Sequence, residues 1–404
     1  MIRAVFLVVL LPCSGAVSDA FALPPLQLYI ELTPEGETLE LPPGRYAGPA
    51  VINRKIKLDG KGEVEIDGGK DGTVITIRAD HSEVRGLRII NSGVSHNTVD
   101  AGISIEANHA RVEDNEMEQV LFGIHLKNAS HNIVRNNSVS SLDRDISIRG
   151  DGIRMWYSHE NLIENNRFVH VRDIAANNSL DNRLIGNTIE HSRIGMEFIY
   201  SHGNEVAHNT VINNNTGIVL IYSNELSIHD NHIAHMSKLT GAGLSFKESA
   251  EVEIHDNEVA HCNIGLLANS PLDPENRMIA SGNLFTYNVL GIYFYGEKGG
   301  HLLQNNHFAN NFTDVMGSRP PAARHNQWNH NHWDRYRGFD RDGDGTGDRP
   351  HEAYLFTEHI WNDYPMGRFF RGTPMMAMLD FAYRLAPVKA PELEYSDPSP
   401  AILK

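Results

Sequence analysis

Two consecutive repeats decide the fold of this chain. Gly195-Met-Glu-Phe-Ile-Tyr-Ser201 opens the first repeat and Gly217-Ile-Val-Leu-Ile-Tyr-Ser223 opens the second, with Asn209 and the apolar Val211 between them. Side-chain character alternates with a period of two within each opening, which is typical of short β-strands. A repeat of about two dozen residues cannot bury its own apolar face, so neighbouring repeats must stack.

The same two marks recur in step through the middle of the chain. Successive ladder asparagines fall 21 to 29 residues apart, and each precedes an apolar residue by two positions: Asn115, Asn137, Asn166, Asn187, Asn209, Asn231, Asn257, Asn283 and Asn306. Gly-apolar openings occur at Gly102, Gly123, Gly152, Gly195, Gly217, Gly243, Gly265 and Gly291. The pattern predicts an all-β, right-handed parallel β-helix. We expect each Asn to hold a left-handed corner and to pass amide hydrogen bonds from turn to turn.

The ends of the chain depart from this repeat. The β-helix is predicted over residues 23–316, with irregular opening turns from Gly44 onwards, and is followed at 317–365 by a cap that contains an Asp-rich loop. A helical spacing from Met375 to Leu385 predicts one short helix in an irregular C-terminal extension. Residues 366–404 are predicted to form an arm that docks to a partner.

The first 22 residues indicate export. Arg3, the apolar run from Val5 to Leu11 and the small residues around Ala22 form a secretory signal peptide that we expect to be cleaved near Ala22. An alternative is a lipoprotein anchored at Cys13, although Pro12 stands where a small residue is expected. Cleavage leaves Cys262 alone, so the exported protein must be stabilised by its core rather than by an internal disulfide.

The formal net charge of −16 bears on possible partners. Such an acidic balance argues against nucleic acid and anionic lipid.

One local motif points to a hard cation. Asp340, Asp342, Asp344 and Asp348 alternate with glycines in a pattern similar to the first half of a calcium-binding EF-hand loop. His351 stands where the bidentate Glu of that loop is expected. The spacing favours calcium over a metal-free turn.

Histidine and methionine point to a softer metal. The chain has 22 His and 11 Met, a mixture that suits copper. The candidate copper ligands are Met155, His159, Met196, His202, His232, His235 and Met236. Core packing for the methionines and solvated corners for the histidines, including His208 and His229, are the competing interpretation.

Carboxylates leave a third interpretation open. Asp143, Asp145 and Asp151 stand close in sequence to several arginines, and a polysaccharide lyase or epimerase uses such groups on sugar protons. The Asp-Pro-His-Asp signature of epimerases is absent from the sequence, and pairing of these charges with one another is the simpler explanation. A non-catalytic carbohydrate-binding β-helix is a further alternative.

Several motifs together carry a family resemblance. Residues 152–158 and 195–201, the segment His332-Trp-Asp334 that leads into the Asp342–Asp348 loop, and the stretch from Thr373 to Phe381 look like conserved segments of one family. Over the whole mature chain they resemble the NosD family, periplasmic copper-maturation factors of denitrifying bacteria. Thr373 and His332 depart from the Ser and Tyr that the family pattern leads us to expect.

The resemblance implies a non-catalytic role. The protein would work in the periplasm with the permease and ATPase subunits of an ABC transporter, associated with the membrane through them. It would accept copper transiently from a lipoprotein chaperone for apo nitrous oxide reductase. Met375, Met376, Met378, Leu379 and Phe381 are the predicted docking residues of the arm. No Gly-Lys-Ser/Thr phosphate loop is present, so the ATPase is expected to be a separate subunit.

Overall fold

Three parallel β-sheets wind around one core in the computed structural model of this chain. The structure describes residues 23–269, 277–296, 299–318, 322–355, 373, 375, 378, 381–382, 385 and 392–402. The chain passes through the three sheets in turn and makes about 12 turns of a β-solenoid. The predicted parallel β-helix is confirmed.

Sheet 1 has twelve strands and follows the Gly-apolar openings. Its strands are Ala50–Ile52, Ile75–Ile77, Ala101–Ile105, Phe122–Lys127, Ile153–Trp156, Ile174–Asn177, Ile194–Ile199, Thr216–Ile221, Ala242–Lys247, Ile264–Asn269, Leu290–Phe294 and Thr313–Gly317.

Sheets 2 and 3 flank the corner that carries the ladder asparagines, and the long strands Lys57–Asp67 and Glu83–Ile90 run through both. Sheet 2 also contains Thr38–Glu40, Arg111–Glu113, Ile133–Arg135, Leu162–Glu164, Arg183–Ile185, Glu205–Ala207, Ser227–His229, Glu253–His255, Ile279–Ser281, Leu302–Gln304 and Gln327–Asn329. Sheet 3 also contains Gly44–Ala47, Glu116–Val120, Ser138–Ser141, Arg167–Val169, Thr188–Glu190, Thr210–Ile212, His232–Ala234, Glu258–Ala260, Leu284–Thr286, His307–Ala309 and His332–Trp333.

The core runs without interruption along the solenoid because equivalent apolar residues lie above one another. In sheet 1, Met196 pairs in register with Ile218, and Ile218 pairs with Leu244. All three are fully buried, as are the aromatic rings of Phe285 and Phe308, which stack with centroids 5.4 Å apart. Stacking of turns therefore supplies the burial that a single turn lacks.

The predicted amide ladder is present, but the prediction that each ladder Asn holds the left-handed corner was wrong, because the left-handed φ angles belong to the residues just before them, such as His208 and Asp230. The backbone N–H and the side-chain amide of Asn209 both donate to Oδ1 of Asn231, at 2.9 Å each, and Asn231 repeats the pattern onto Asn257. The amide of Asn231 also donates to the carbonyl of Val206 at 2.8 Å. These side chains are almost fully buried, so the ladder satisfies backbone groups that water cannot reach.

Gly217 illustrates why glycine opens a turn. A Cβ atom at this position would lie 2.2 Å from the carbonyl oxygen of Gly243 in the next turn. Only a residue without a side chain allows the two backbones to approach this closely.

Both ends of the solenoid are covered. The helix Leu26–Leu32, which the sequence analysis did not predict, buries Leu26 and Ile30 against the first turns. At the other end the strands His351–Leu355 and Glu392–Asp397 pair antiparallel, and short 3₁₀ helices occur at Ile146–Ile148 and Ala322–His325. Each described residue from 375 to 385 is helical, which agrees with the predicted short helix.

Asp397 ends the asparagine ladder. Its Oδ2 accepts hydrogen bonds from the backbone N–H and the side-chain amide of Asn331, both at 3.0 Å, and from the indole of Trp333 at 3.2 Å. The predicted C-terminal arm is thus tied back onto the solenoid by its last strand.

The structure bears on Cys262 but not on the predicted signal peptide. The signal peptide, Cys13 and Ala22 lie outside the described residues. Cys262 is a buried free thiol. Among the described residues, no helix has the length and apolar character needed to span a membrane.

Candidate functional site

Imidazoles gather at the corner between sheets 2 and 3, just before the ladder asparagines. Ala207, His229 and His255 occupy equivalent positions in three successive turns, and the residues that follow them are His208, Asp230 and Asp256. These three have left-handed φ angles of 56°, 53° and 56°. The tight corner turns their side chains outward, so the solenoid stacks histidines and carboxylates on its surface.

His208, His229 and Asp230 are close enough to share a metal ion. One ligand atom from each lies within 4.8 Å of the other two. His229 Nδ1 is 2.8 Å from Asp230 Oδ2, and its Nε2 is 3.4 Å from Glu205 Oε1. A carboxylate that holds one ring nitrogen of a histidine orients the other nitrogen, an arrangement common around bound metals.

More imidazoles surround this triad. His229 and His255 stack at 4.7 Å, and across the strand of sheet 3 His235 stacks on His261 at 5.0 Å. We define the histidine patch as His208, His229, His232, His235, His255 and His261. Its members are partly or largely exposed, so a partner protein can reach them.

Charges within the patch favour a cation. The hydrogen bond from His229 holds the pKa of Asp230 below its usual range. A hydrogen bond from Arg183 likewise lowers the pKa of Glu205. Both carboxylates are therefore ionised at neutral pH, beside imidazole nitrogens that suit copper.

The structure does not bring the predicted methionine and histidine ligands together. Met155, Met196 and Met236 are fully buried in the core, so their sulfurs cannot meet a copper ion delivered from solution. His159, Leu180 and His202 occupy the same corner position in three successive turns of the solenoid. His159 and His202 are therefore not in neighbouring turns. Two turns separate them by about 10 Å. Two ligand atoms that bind one ion, each at roughly 2 Å from it, must lie much closer together than this.

His159 and His202 have another role in the corner. Nδ1 of His159 accepts the backbone N–H of Leu180, and Nδ1 of His202 accepts that of Asn224, both at 3.0 Å. Of the predicted copper ligands, His232 and His235 are thus the two that lie in the histidine patch.

The Asp-rich loop is compact. Asp340 accepts backbone hydrogen bonds from Gly343 at 2.7 Å and Gly345 at 3.0 Å, and the latter bond contributes most to lowering its pKa. Oxygens of Asp340, Asp342 and Asp344 lie within 4.8 Å of one another. Asp348 instead accepts the backbone N–H of Arg341 at 2.9 Å. The predicted calcium site therefore has three converging carboxylates, and calcium stays a prediction.

The described part of the docking segment is apolar and exposed. Met375, Met378 and Phe381 expose 63%, 72% and 63% of their surface and lie at helical spacing with Leu385. Met376 and Leu379 lie outside the residues whose side chains are described. The segment connects the paired strands His351–Leu355 and Glu392–Asp397, so it is held at both ends.

The carboxylates considered for sugar chemistry do not converge. Asp145 caps a 3₁₀ helix by accepting the backbone N–H of Ser147 at 2.9 Å. Asp151 is buried and lies 3.5 Å from Arg154 and 3.1 Å from Arg172. Asp143 is exposed to solvent.

Known proteins resemble this chain in sequence over most of its length. The family described as "Periplasmic copper-binding protein (NosD)" matches residues 139–338, which include the histidine patch. A relative from Pseudomonas aeruginosa, "Probable ABC transporter binding protein NosD", is 27% identical over 394 aligned residues, covering 88% of this chain and 86% of the relative. Over most of its length this chain is similar to NosD proteins. A protein of the same description from Stutzerimonas stutzeri is 29% identical over 121 residues, 29% of this chain and 27% of that one.

Solved structures of other proteins have the same fold as this chain. The A-module of the mannuronan C-5 epimerase AlgE4 from Azotobacter vinelandii has a TM-score of 0.54 at 13% identity, covering 72% of this chain and 92% of the module. The periplasmic alginate epimerase AlgG has a TM-score of 0.51 at 14% identity, covering 72% and 82%. At such identities the similarity shows the fold alone.

The sequence contains a signal for the triad that we did not recognise as one. A His-Asp pair precedes the ladder Asn in two consecutive turns, at residues 229–230 and 255–256, and His208 precedes it in the turn before. We interpreted these histidines as solvated corners, but the register of the turns places His208 beside Asp230.

Proposed function

We propose that this protein is the periplasmic accessory factor that delivers copper for the maturation of nitrous oxide reductase. It accepts copper from a lipoprotein chaperone and works with the permease and ATPase subunits of an ABC transporter. Similarity to a periplasmic copper-binding family, and to a Pseudomonas aeruginosa protein described as a probable ABC transporter binding protein, supports this role. The observation that carries it is the triad of His208, His229 and Asp230 at an accessible surface.

The histidine patch suits transfer better than storage. Imidazole is a good copper ligand, and weak, exposed, carboxylate-supported sites release an ion more readily than buried cages. His232 adds an imidazole whose Nδ1 is 2.9 Å from Glu258 Oε2. A row of such groups along the solenoid lets an incoming ion exchange ligands without unfolding the protein.

Copper titration of the mature protein tests the ligand assignment. A triple variant, His208→Ala, His229→Ala and Asp230→Asn, is expected to lose the tightest copper site. The matched control replaces His81 and His109, which also stack at 4.8 Å on a corner but lie outside the triad. The control is expected to bind copper like the wild type. Equal binding by the triple variant and the wild type would remove the triad from the proposal.

Docking to the transporter is proposed for the exposed stripe of Met375, Met378 and Phe381. Deletion of residues 366–404 is a poor test, because it also removes Asp397 and uncaps the ladder. The sharper variant is Met378→Glu with Phe381→Glu, which we expect to abolish recovery of the permease in a pulldown. Leu239→Glu, at an apolar side chain that is 69% exposed elsewhere, is the matched control. Undiminished recovery with the double variant would overturn the docking proposal.

A further inference from the structure

The outer face of sheet 1, which we call the groove, carries a row of residues outside the histidine patch. Ser104, His125, Arg154, Ala175 and Glu197 follow one another in register across five strands, on the face opposite the core. His125 is nearly buried although it points away from the core.

Two loops border this face, the first at residues 91–100 and the second at residues 142–152. His96 Nε2 is 3.0 Å from the carbonyl oxygen of Ile148 in the second loop, and the His96 ring packs edge-on against Phe122 at 5.5 Å. The loops are therefore joined to each other and to the sheet, so the groove is a built feature of the fold.

Three arginines in successive turns lie in this groove. Arg172 Nε is 3.1 Å from both Asp151 and Asp173, and Asp173 also holds Arg193 through a hydrogen bond at 3.1 Å to its Nε. The two aspartate side chains are completely buried, whereas the arginine side chains keep about a third of their surface exposed. The carboxylates thus lie behind the guanidinium groups and fix their positions.

Of these three arginines, Arg154 makes the fewest hydrogen bonds, and its guanidinium carbon lies 5.8 Å from the centroid of the Phe122 ring. Its nearest carboxylate oxygen, Asp151 Oδ2, is 3.5 Å away, and its guanidinium makes no hydrogen bond to the part of the chain that the structure describes. Asp151 Oδ2 is itself buried without a hydrogen bond among those residues. A planar guanidinium with free N–H groups is well suited to bind a carboxylate through two parallel hydrogen bonds.

Aromatic rings lie beside these donors. Trp156 is two residues after Arg154 on the same strand and is 40% exposed on the same face. At the adjoining corner Tyr157 packs against Trp156 with centroids 5.4 Å apart, and Tyr200 and Tyr222 stack at 5.2 Å in later turns. Asn178 occupies the corner position between Tyr157 and Tyr200, so exposed rings lie on both sides of it along the axis and offer flat apolar surfaces on which sugar rings pack.

We infer that this groove binds a carboxylate-bearing saccharide, an oligomer of uronic acid units, along the axis of the solenoid. The guanidinium groups recognise the carboxylates and the aromatic rings support the pyranose rings. A neutral sugar would make no use of the free N–H groups of Arg154, and a small carboxylate would make no use of the exposed aromatic rings. The site is separate from the histidine patch, so the inference does not depend on the proposed function.

Protonation within the groove supports an anionic ligand. Burial raises the pKa of Asp151 to about 7, and burial also raises the pKa of Glu197. Asp151 faces Arg172, Asp173, Arg154 and Glu197. When Asp151 takes up a proton near neutral pH, the three arginines outnumber the ionised carboxylates around them, although the chain as a whole is acidic.

Isothermal titration of the mature chain at low salt tests the inference. The probes are a uronic acid hexamer, a glucose hexamer and citrate. The wild type is expected to bind the uronate hexamer at least tenfold more tightly than either other probe. Arg154→Ala should weaken that binding at least tenfold, and Trp156→Ala should weaken it several-fold. Arg167→Ala, which removes an exposed arginine paired with Glu190 on sheet 3, should leave it unchanged.

Three results would overturn the inference. They are no binding of the uronate hexamer by the wild type, citrate binding as tight as hexamer binding, and equal hexamer binding by Arg154→Ala and the wild type. If Arg154→Ala does not fold by circular dichroism, Arg154→Lys replaces it. This variant keeps the charge and loses the fork, so it should still weaken hexamer binding. Unchanged affinity in Arg154→Lys would contradict the assigned recognition.

Discussion

Removal of the Asp397 carboxylate should open the C-terminal end of the solenoid. Asp397→Ala takes away the acceptor for three buried donors, the N–H and the side-chain amide of Asn331 and the indole N–H of Trp333. A buried donor left without a partner costs about 1–3 kcal/mol. Allowing for partial relaxation, we expect the last turn to lose about 3–6 kcal/mol of local stability.

Amide hydrogen exchange measures this loss in the right place. In a solenoid each turn contacts only its neighbours, so the effect should stay near the last turns. Every 1.4 kcal/mol is a factor of ten, and the amides of residues 327–333 should therefore exchange roughly 100 to 10,000 times faster. The amide of Asn209, several turns away on the same ladder, is the internal reference and should not change.

The isosteric variant separates the acceptor from the charge. Asp397→Asn keeps an oxygen that can accept the same hydrogen bonds, so its exchange should rise by about tenfold at most. The capping argument is refuted if the amides of residues 327–333 exchange in Asp397→Ala at rates within a few-fold of the wild type. Equal damage from both variants would show that the negative charge matters rather than the acceptor.

Three further predictions concern single positions. Gly217→Ala should lower the melting temperature, at a cost of about 2 kcal/mol or more, because its Cβ would lie 2.2 Å from a backbone oxygen; an unchanged melting temperature would contradict this. Burial raises the pKa of Cys262 to about 12, so iodoacetamide at pH 8 should label it only after unfolding, and labelling of the native protein would contradict the assigned burial. Burial also raises the pKa of Asp151 to about 7, above its value in the unfolded chain. Because the folded protein holds the proton on Asp151 more tightly than the unfolded chain does, the free energy of unfolding falls as pH rises from about 4 to 7. Asp151→Asn should gain roughly 2–4 kcal/mol relative to the wild type between pH 4 and pH 8 in urea denaturation; parallel pH profiles would contradict the shift.

Much of the fold was predictable because the repeat is a local signal. Each opening glycine and each ladder Asn recurs at a regular interval, and the structure places Asn209, Asn231 and Asn257 above one another as expected. The helix Leu26–Leu32 was not predicted, since its two buried residues give too short an apolar stripe to be recognised. Asp397 was equally hidden, because its partners lie 64 and 66 residues away.

The candidate sites were less predictable because they depend on register and on the direction of side chains. Met196 follows an opening glycine and reads equally well as a ligand or as core, and only the stacking with Ile218 places it in the core. His208 and Asp230 are 22 residues apart and become neighbours only when two turns align. The groove residues Arg154 and Arg172 are likewise united by Asp151, whose burial no local pattern reveals.

The copper content of nitrous oxide reductase tests the central claim most directly. The reductase is purified from a denitrifying host whose own NosD-family gene has been deleted. One strain receives this chain together with its transporter subunits, and a second strain receives the transporter subunits alone. We predict a copper-replete, active reductase with the wild-type chain. Without the chain, or with the variant that lacks His208, His229 and Asp230, the reductase should be depleted of copper. The same copper content with and without the chain would contradict the account.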